Sequence, residues 1–155
     1  MTTTYIALAT TTLSSATSTV TFSSIPATYR DLILVYNGSA SGNGDFHLSV
    51  NGDTASNYSN VQMAGNGSTA YSSNFTSSGY YAGQLTADRL AFRVQLMDYS
   101  VTDKHKTVLT RADSQTQTMA FASRWANTAA ITTLACRAIS VNFAAGSTFS
   151  LYGVN

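Results

Sequence analysis

The chain of 155 residues has seven aspartates and no glutamate, one cysteine, one proline and one tryptophan, and only 10% of its residues are charged. Glutamate is a good helix former, whereas threonine loses rotamer freedom in a helix and Ser, Asn and Asp draw the backbone into caps and turns. A chain rich in the latter and without the former excludes extensive helix. The single cysteine, Cys136, excludes a disulfide within one chain, and its place in an alternating run predicts a packed core thiol. No run approaches the roughly 18 apolar residues of a membrane-spanning helix. The opening Met1-Thr2-Thr3-Thr4-Tyr5 has neither a basic stretch nor an apolar one, so the expectation is a soluble product of a cytoplasm.

Charge is scarce in sum as well as in number. The formal net charge is +1, too small a field to gather nucleic acid or an anionic membrane. Lys104, Lys106 and Arg111 form the only local basic cluster, flanked by Asp98, Asp103 and Asp113, and read as a solvated strand face. With roughly 25% charged residues usual for a soluble domain, solubility here must rest on hydroxyls and amides.

What the chain does contain is strands and turns. Tyr5–Thr10 and Thr19–Phe22 carry residues that suit a pleated surface. The only proline, in Ser24-Ile25-Pro26-Ala27-Thr28-Tyr29-Arg30-Asp31, marks a turn into Leu32–Tyr36, apolar enough to be buried on both faces. Phe46, Leu48 and Val50 alternate with His47 and Ser49, which places His47 on a polar face, and Asn51-Gly52-Asp53 closes that strand. From Thr54 to Ala87 the pattern weakens into Asn, Ser, Gly and isolated tyrosines, and Gly65 to Gly83 reads as a loop. Regularity returns with Phe92, Val94 and Leu96 alternating with Arg93 and Gln95, then Val108 and Leu109, then Met119, Phe121, Ser123 and Trp125. Ile131, Leu134, Ile139 and Val141 mark one or two further strands, and Thr148–Val154 marks the last. The expected fold is all-β, one antiparallel β-sandwich of jelly-roll type over residues 1–155, with about eight strands and little or no helix.

Groups able to do chemistry are few and scattered. His47 is expected on a strand's polar face and His105 between two lysines, where like charge disfavours protonation. Serine is abundant, but no G-x-S-x-G turn holds one as a nucleophile. The aspartates at Asp31, Asp53, Asp103 and Asp113 sit at turns, where they cap backbone. One cysteine and two distant histidines make no zinc set, and no aspartate-rich calcium loop is present. Gly38, Gly42, Gly44, Gly65 and Gly67 precede no helix of the kind a phosphate site needs. The reading is therefore of no catalytic residue, no metal and no cofactor. Asn37, Asn57, Asn66 and Asn74 begin Asn-x-Ser/Thr triplets, but no secretion signal accompanies them. Trp125 is expected in the core by its alternation with Phe121, while Tyr71, Phe75, Tyr80 and Tyr81, in a polar region, are the candidate interface residues.

Two segments, Ser24-Ile25-Pro26-Ala27-Thr28-Tyr29-Arg30-Asp31-Leu32 and Asn142-Phe143-Ala144-Ala145-Gly146-Ser147-Thr148-Phe149-Ser150-Leu151-Tyr152-Gly153, resemble a group of small tailed-phage virion proteins frequent in phages of aquatic bacteria. Val50-Asn51-Gly52-Asp53 with Asn57-Tyr58-Ser59, and Lys106-Thr107-Val108-Leu109, look like the same group's pattern. The resemblance implies a jelly-roll-like sandwich on the outside of a virion, commonly trimeric, serving as a capsid decoration (cement) protein bound to the major capsid protein. The alternative it implies is the receptor- or glycan-binding head of a tail fibre or other adhesin. A chain that starts at Met1 and enters a strand within a few residues favours the free-standing decoration subunit. On this reading a trimer at local threefold positions multiplies weak contacts by avidity, and a low-charge surface suits dense packing of copies.

Overall fold

A computed structural model describes residues 4–114 and 116–155, all of them strand, turn or irregular backbone with no helix among them. Twelve strands follow in order: β1 (Tyr5–Thr12), β2 (Thr19–Phe22), β3 (Asp31–Gly38), β4 (Gly44–Val50), β5 (Tyr58–Gly65), β6 (Ala70–Ser77), β7 (Tyr80–Leu85), β8 (Leu90–Met97), β9 (Lys106–Ser114), β10 (Gln117–Trp125), β11 (Leu134–Ile139) and β12 (Thr148–Val154). They form an eight-stranded sheet, β1-β12-β3-β8-β9-β10-β5-β6, packed on a four-stranded one, β2-β11-β4-β7, and all their pairings are antiparallel. The all-β antiparallel sandwich is as expected, with twelve strands where about eight were read. The region read as a loop contains β6, the start of β7 and the β5–β6 and β6–β7 turns.

The core lies between the sheets and is aromatic at its centre. Tyr36 of β3 touches Phe46, Phe92, Phe143 and Phe149, with ring centroids 5.2, 5.5, 5.6 and 5.0 Å away, drawing two rings from its own sheet, one from the smaller sheet and one from the segment before β12. Such tilted and edge-on pairs stabilise beyond their area burial. Cys136 is fully buried in this core, and burial pushes its thiol pKa up, which makes it inert, as the sequence reading expects.

The segments that carry the virion-protein resemblance are structural joints. The first leads into β3 and the second ends in β12, and the two strands pair with Leu32 opposite Gly153. A Cβ on Gly153 would lie 2.4 Å from the Tyr29 ring, so only glycine allows that turn to lie against the strand. At one end of the sandwich, Asn51 and Gly52 take φ of 51° and 72° in a tight turn. Asp53 beyond it accepts from the Ala55 backbone N–H, the Asn57 amide and the Trp125 indole at 2.9, 2.9 and 2.7 Å. Those bonds from Asn57 and Trp125, against a smaller cost of burial, hold the Asp53 pKa below its ordinary value. Trp125 itself is 1% exposed, in the core as expected.

Lys106 overturns the reading of a solvated basic face. It is 1% exposed at the start of β9, its ammonium donating to the carbonyls of Val101, Lys104 (3.0 Å) and Thr128 (2.9 Å). Burial lowers its pKa. The residue occupies the inward phase of a strand whose inward neighbours are Val108 and Thr110, and three loop carbonyls at the sandwich end take the place of water. Lys104 pairs with Asp98 at 2.7 Å and Arg111 stands apart on the outer sheet face, so the three cations form no patch.

Candidate functional site: the outer face of the eight-stranded sheet

Because side chains alternate along a strand, the sheet that buries Phe92, Val94, Val108, Thr110 and Phe121 inward presents Arg93, Gln95, Leu109, Arg111 and Ala122 outward. The register sets these in rows across the strands. One row runs Ser150, Val35, Arg93, Arg111, Ala120, Met63 from β12 to β5, and the next runs Tyr152, Ile33, Gln95, Leu109, Ala122, Val61.

This outward face is unlike an ordinary solvated one. Four of the six large apolar side chains exposed among the described residues lie on it: Tyr5 (50%), Val61 (49%), Met63 (61%) and Leu109 (44%). Arg93 and Arg111 stand directly opposite each other on β8 and β9. Like charges in that position repel. Among the described residues neither has a carboxylate partner: Arg93 makes one long contact to the Tyr5 hydroxyl, 3.4 Å, and Arg111 makes no hydrogen bond or ion pair. The nearby Asp31 is committed to the Gln95 amide and the Asp98 backbone N–H, at 2.8 and 3.0 Å.

Three adjoining depressions run along this face. Tyr5, Ile33, Val35, Arg93 and Tyr152 line a hollow of about 280 Å³. Arg93, Gln95, Leu109 and Arg111 line one of about 200 Å³. Arg111, Ala120, Met63 and Ser72 are among the residues of a shallow third, about 770 Å³. Arg93 belongs to the first two and Arg111 to the last two, so the three lie side by side across the strands as a segmented trough with an arginine at each boundary.

Of the four candidate interface residues, Phe75 and Tyr81 share a different place, the flank beside the edge strand β7, while Tyr71 borders the third depression. Tyr71 is 44% exposed and its hydroxyl bridges the Gln62 and Gln117 side chains at 3.1 and 3.0 Å. Phe75 meets Tyr81 edge-on at 5.5 Å, and Tyr81 packs on Phe121 at 4.9 Å while donating to Asp45 at 2.7 Å. Tyr80 is wholly enclosed, its ring against Tyr58 at 5.0 Å, and offers no surface. The turn before β7 sends consecutive tyrosines to opposite sides, one into the core and one along its flank.

His47 also departs from its expected position. Side chains of the neighbouring strands crowd this position, so His47 is only 9% exposed, beside the Tyr81 ring at 5.4 Å and opposite Arg137. Burial lowers its pKa, with Asp45 opposing and Arg137 adding to the shift, and its Nδ1 lacks a partner. His105 lies in an exposed loop.

Arg93 and Gln95 are assigned to one face by alternation alone, but the meeting of Arg93 with Arg111 depends on a register that no local pattern encodes. Tyr5 and Tyr152 likewise reach the trough only because β1 and β12 close that side of the sheet.

No family model matches the sequence, and no curated protein does. Among solved structures, galectin LEC-6 of Caenorhabditis elegans is similar at 7% identity and a TM-score of 0.37, over 91% of this chain and 93% of that one. The alginate lyase Aly36B is similar at 9% identity and a TM-score of 0.33, over 94% of this chain and 77% of that one.

Proposed function

We propose that the protein is a non-enzymatic phage virion structural protein, a capsid decoration subunit that binds the outer surface of the head as a homotrimer and stabilises the shell through contacts to the major capsid protein. The resemblance of its strand and turn segments supports this reading, and one structural observation carries it: the edge strand β6. Proteins that live as monomers guard sheet edges with charge, proline or a bulge. β6, Ala70–Ser77, has no charged residue and no proline, is mostly exposed, and pairs with β5 in unbroken register, so its outer backbone groups are open to a neighbouring copy. Thr76→Lys with Asn74→Lys should abolish trimerisation in sedimentation velocity and, with it, binding to decoration-free capsids. If capsids without the protein withstand heat and osmotic shock as well as complete ones, this reading is wrong.

A second reading, a receptor-binding module of a fibre or adhesin that recognises host glycans, draws on a separate observation, the trough on the outer sheet face. Tyr71, Phe75 and Tyr81 are partly spent on contacts with one another and their neighbours, so this reading rests on the sheet face. Blank glycan-binding and cell-adsorption assays would count against it.

A further inference from the structure

We propose that the trough binds an acidic linear glycan, seating a uronate carboxylate or a sulfate ester between Arg93 and Arg111 beside Leu109, with neighbouring sugars lying on Tyr5 and Tyr152 to one side and on Ala120 and Met63 to the other. The proposal rests on the glycan-binding reading of this face and holds wherever the subunit sits on a particle.

The charge argument comes first. Two guanidinium groups occupy facing positions in an antiparallel pair, with Cα atoms about 4.5–5.5 Å apart, on a chain whose charged residues are only 10% of the total. Among the described residues neither forms an ion pair that would relieve their mutual repulsion. A single anion between them relieves it, and a planar carboxylate or a sulfate can accept paired N–H groups from each guanidinium.

The shape argues for a polymer. From β12 to β5 the trough crosses five inter-strand steps, about 24 Å at about 4.8 Å each. It is lined on the way by flat aromatic rings, aliphatic side chains and the small Ala120. A sugar chain presents apolar C–H faces to such surfaces, and its hydroxyls can meet Gln95 and Ser150.

The backbone argues against a peptide. Between its ends the trough floor belongs to β12, β3, β8, β9, β10 and β5, interior strands whose backbone groups pair on both sides, and only its two ends reach edge strands, at Tyr5 of β1 and at Ala70, Tyr71 and Ser72 of β6. A peptide lying across them finds no free ladder partners of the kind that sheet-edge recognition uses. Nucleic acid is disfavoured by Asp113, two residues from Arg111 on the same face of β9, by Asp31 of the neighbouring β3, held to Gln95, and by a net charge of +1.

The test is isothermal titration of the full-length protein at low and moderate salt with four probes: oligogalacturonate, sulfated dextran oligomers, neutral dextran oligomers and polyglutamate. One or both acidic glycans should bind while neutral dextran and polyglutamate do not, the better of the two acids telling carboxylate from sulfate. Arg93→Gln and Arg111→Gln should each weaken binding about tenfold or more with no loss of thermal stability, and Tyr5→Ala should weaken it less. Neutral dextran binding as tightly as the acids would overturn the proposal and leave the glycan-binding reading standing. Silence from all three glycans would remove both, and tight polyglutamate binding would reassign the trough to an acidic protein segment. Binding of the acids unaffected by either arginine substitution would also overturn it.

Discussion

The two faces of the eight-stranded sheet are built from the same strands, residue by alternate residue, and obey different rules. On β8, Phe92 is 1% exposed between the Tyr36 and Phe46 rings of the core, and Arg93, next in sequence, projects outward opposite another arginine. The inner face is selected for packing, every ring touching another. The outer face tolerates exposed Val61, Met63 and Leu109 and a facing pair of like charges, features that stability alone does not favour. Where a sheet carries such features on one face only, that face is the place to look for a ligand or partner.

The contrast can be broken most severely from inside. Phe92→Ala should cost about 3–5 kcal/mol in urea unfolding, the usual range for emptying an aromatic site. A loss under about 1 kcal/mol would mean that the aromatic layer is loosely packed. Next comes the end of the sandwich, where Lys106→Met keeps the volume but strands the carbonyls of Val101, Lys104 and Thr128. That variant should lose about 2–3 kcal/mol, and faster amide exchange in the loops at 98–104 and 126–130 should accompany the loss.

A smaller effect tests the crowded face of β4. His47 titrates below its ordinary 6.5 because burial disfavours its charged form, so the unfolded chain takes up the proton first. Its contribution is whole above 6.5 and declines as pH falls through that value towards the folded pKa. Thermal melts should therefore fall between about pH 7.5 and pH 5.5, and His47→Gln should flatten that part of the profile. Asp53, held low by its hydrogen bonds, works in a separate window: its contribution is present above 3.8 and is lost as pH drops through its folded pKa.

The smallest change is expected on the outer face. Leu109→Thr should move stability by no more than about 0.5 kcal/mol, and Arg93→Gln should raise it by a few tenths, to about 0.3 kcal/mol, by removing the facing like charge. Chemical denaturation would read both, and a large loss from either would show that the outer face also serves the fold.

Legibility followed the extent of coverage. β2, β3, β4, β8, β10 and β12 are plain in the sequence because each lies in a part of the sandwich where one face, or both, meets the other layer. β5 reverses the rule. Its inward residues include Asn60 and Gln62, and its outward ones Val61 and Met63. Asn60 is 1% exposed yet fully engaged, accepting from Ser123 at 2.7 Å and the Tyr81 N–H at 2.9 Å and donating to Ser77 at 2.9 Å. Reading apolar as inward fails there, and in β6 neither face is buried enough to leave a pattern. Of the candidate site, only the facing direction of Arg93 and Gln95 was legible. The aromatics chosen from sequence divide among core, flank and the border of the third depression.

Composition and alternation alone determined that this chain is a strand sandwich with an inert cysteine, poor in charge and rich in neutral polar groups, because those properties follow from each residue's own backbone preference and its nearest neighbours. The tertiary structure decided which polar residues are buried, which apolar ones are exposed, and that two arginines 18 positions apart in sequence meet on one face. The physical reason is the mismatch between the layers: four strands cannot cover eight. Which side of a strand meets water is then set by where the smaller sheet ends and by the cross-strand register, and neither is written in any local stretch of the chain.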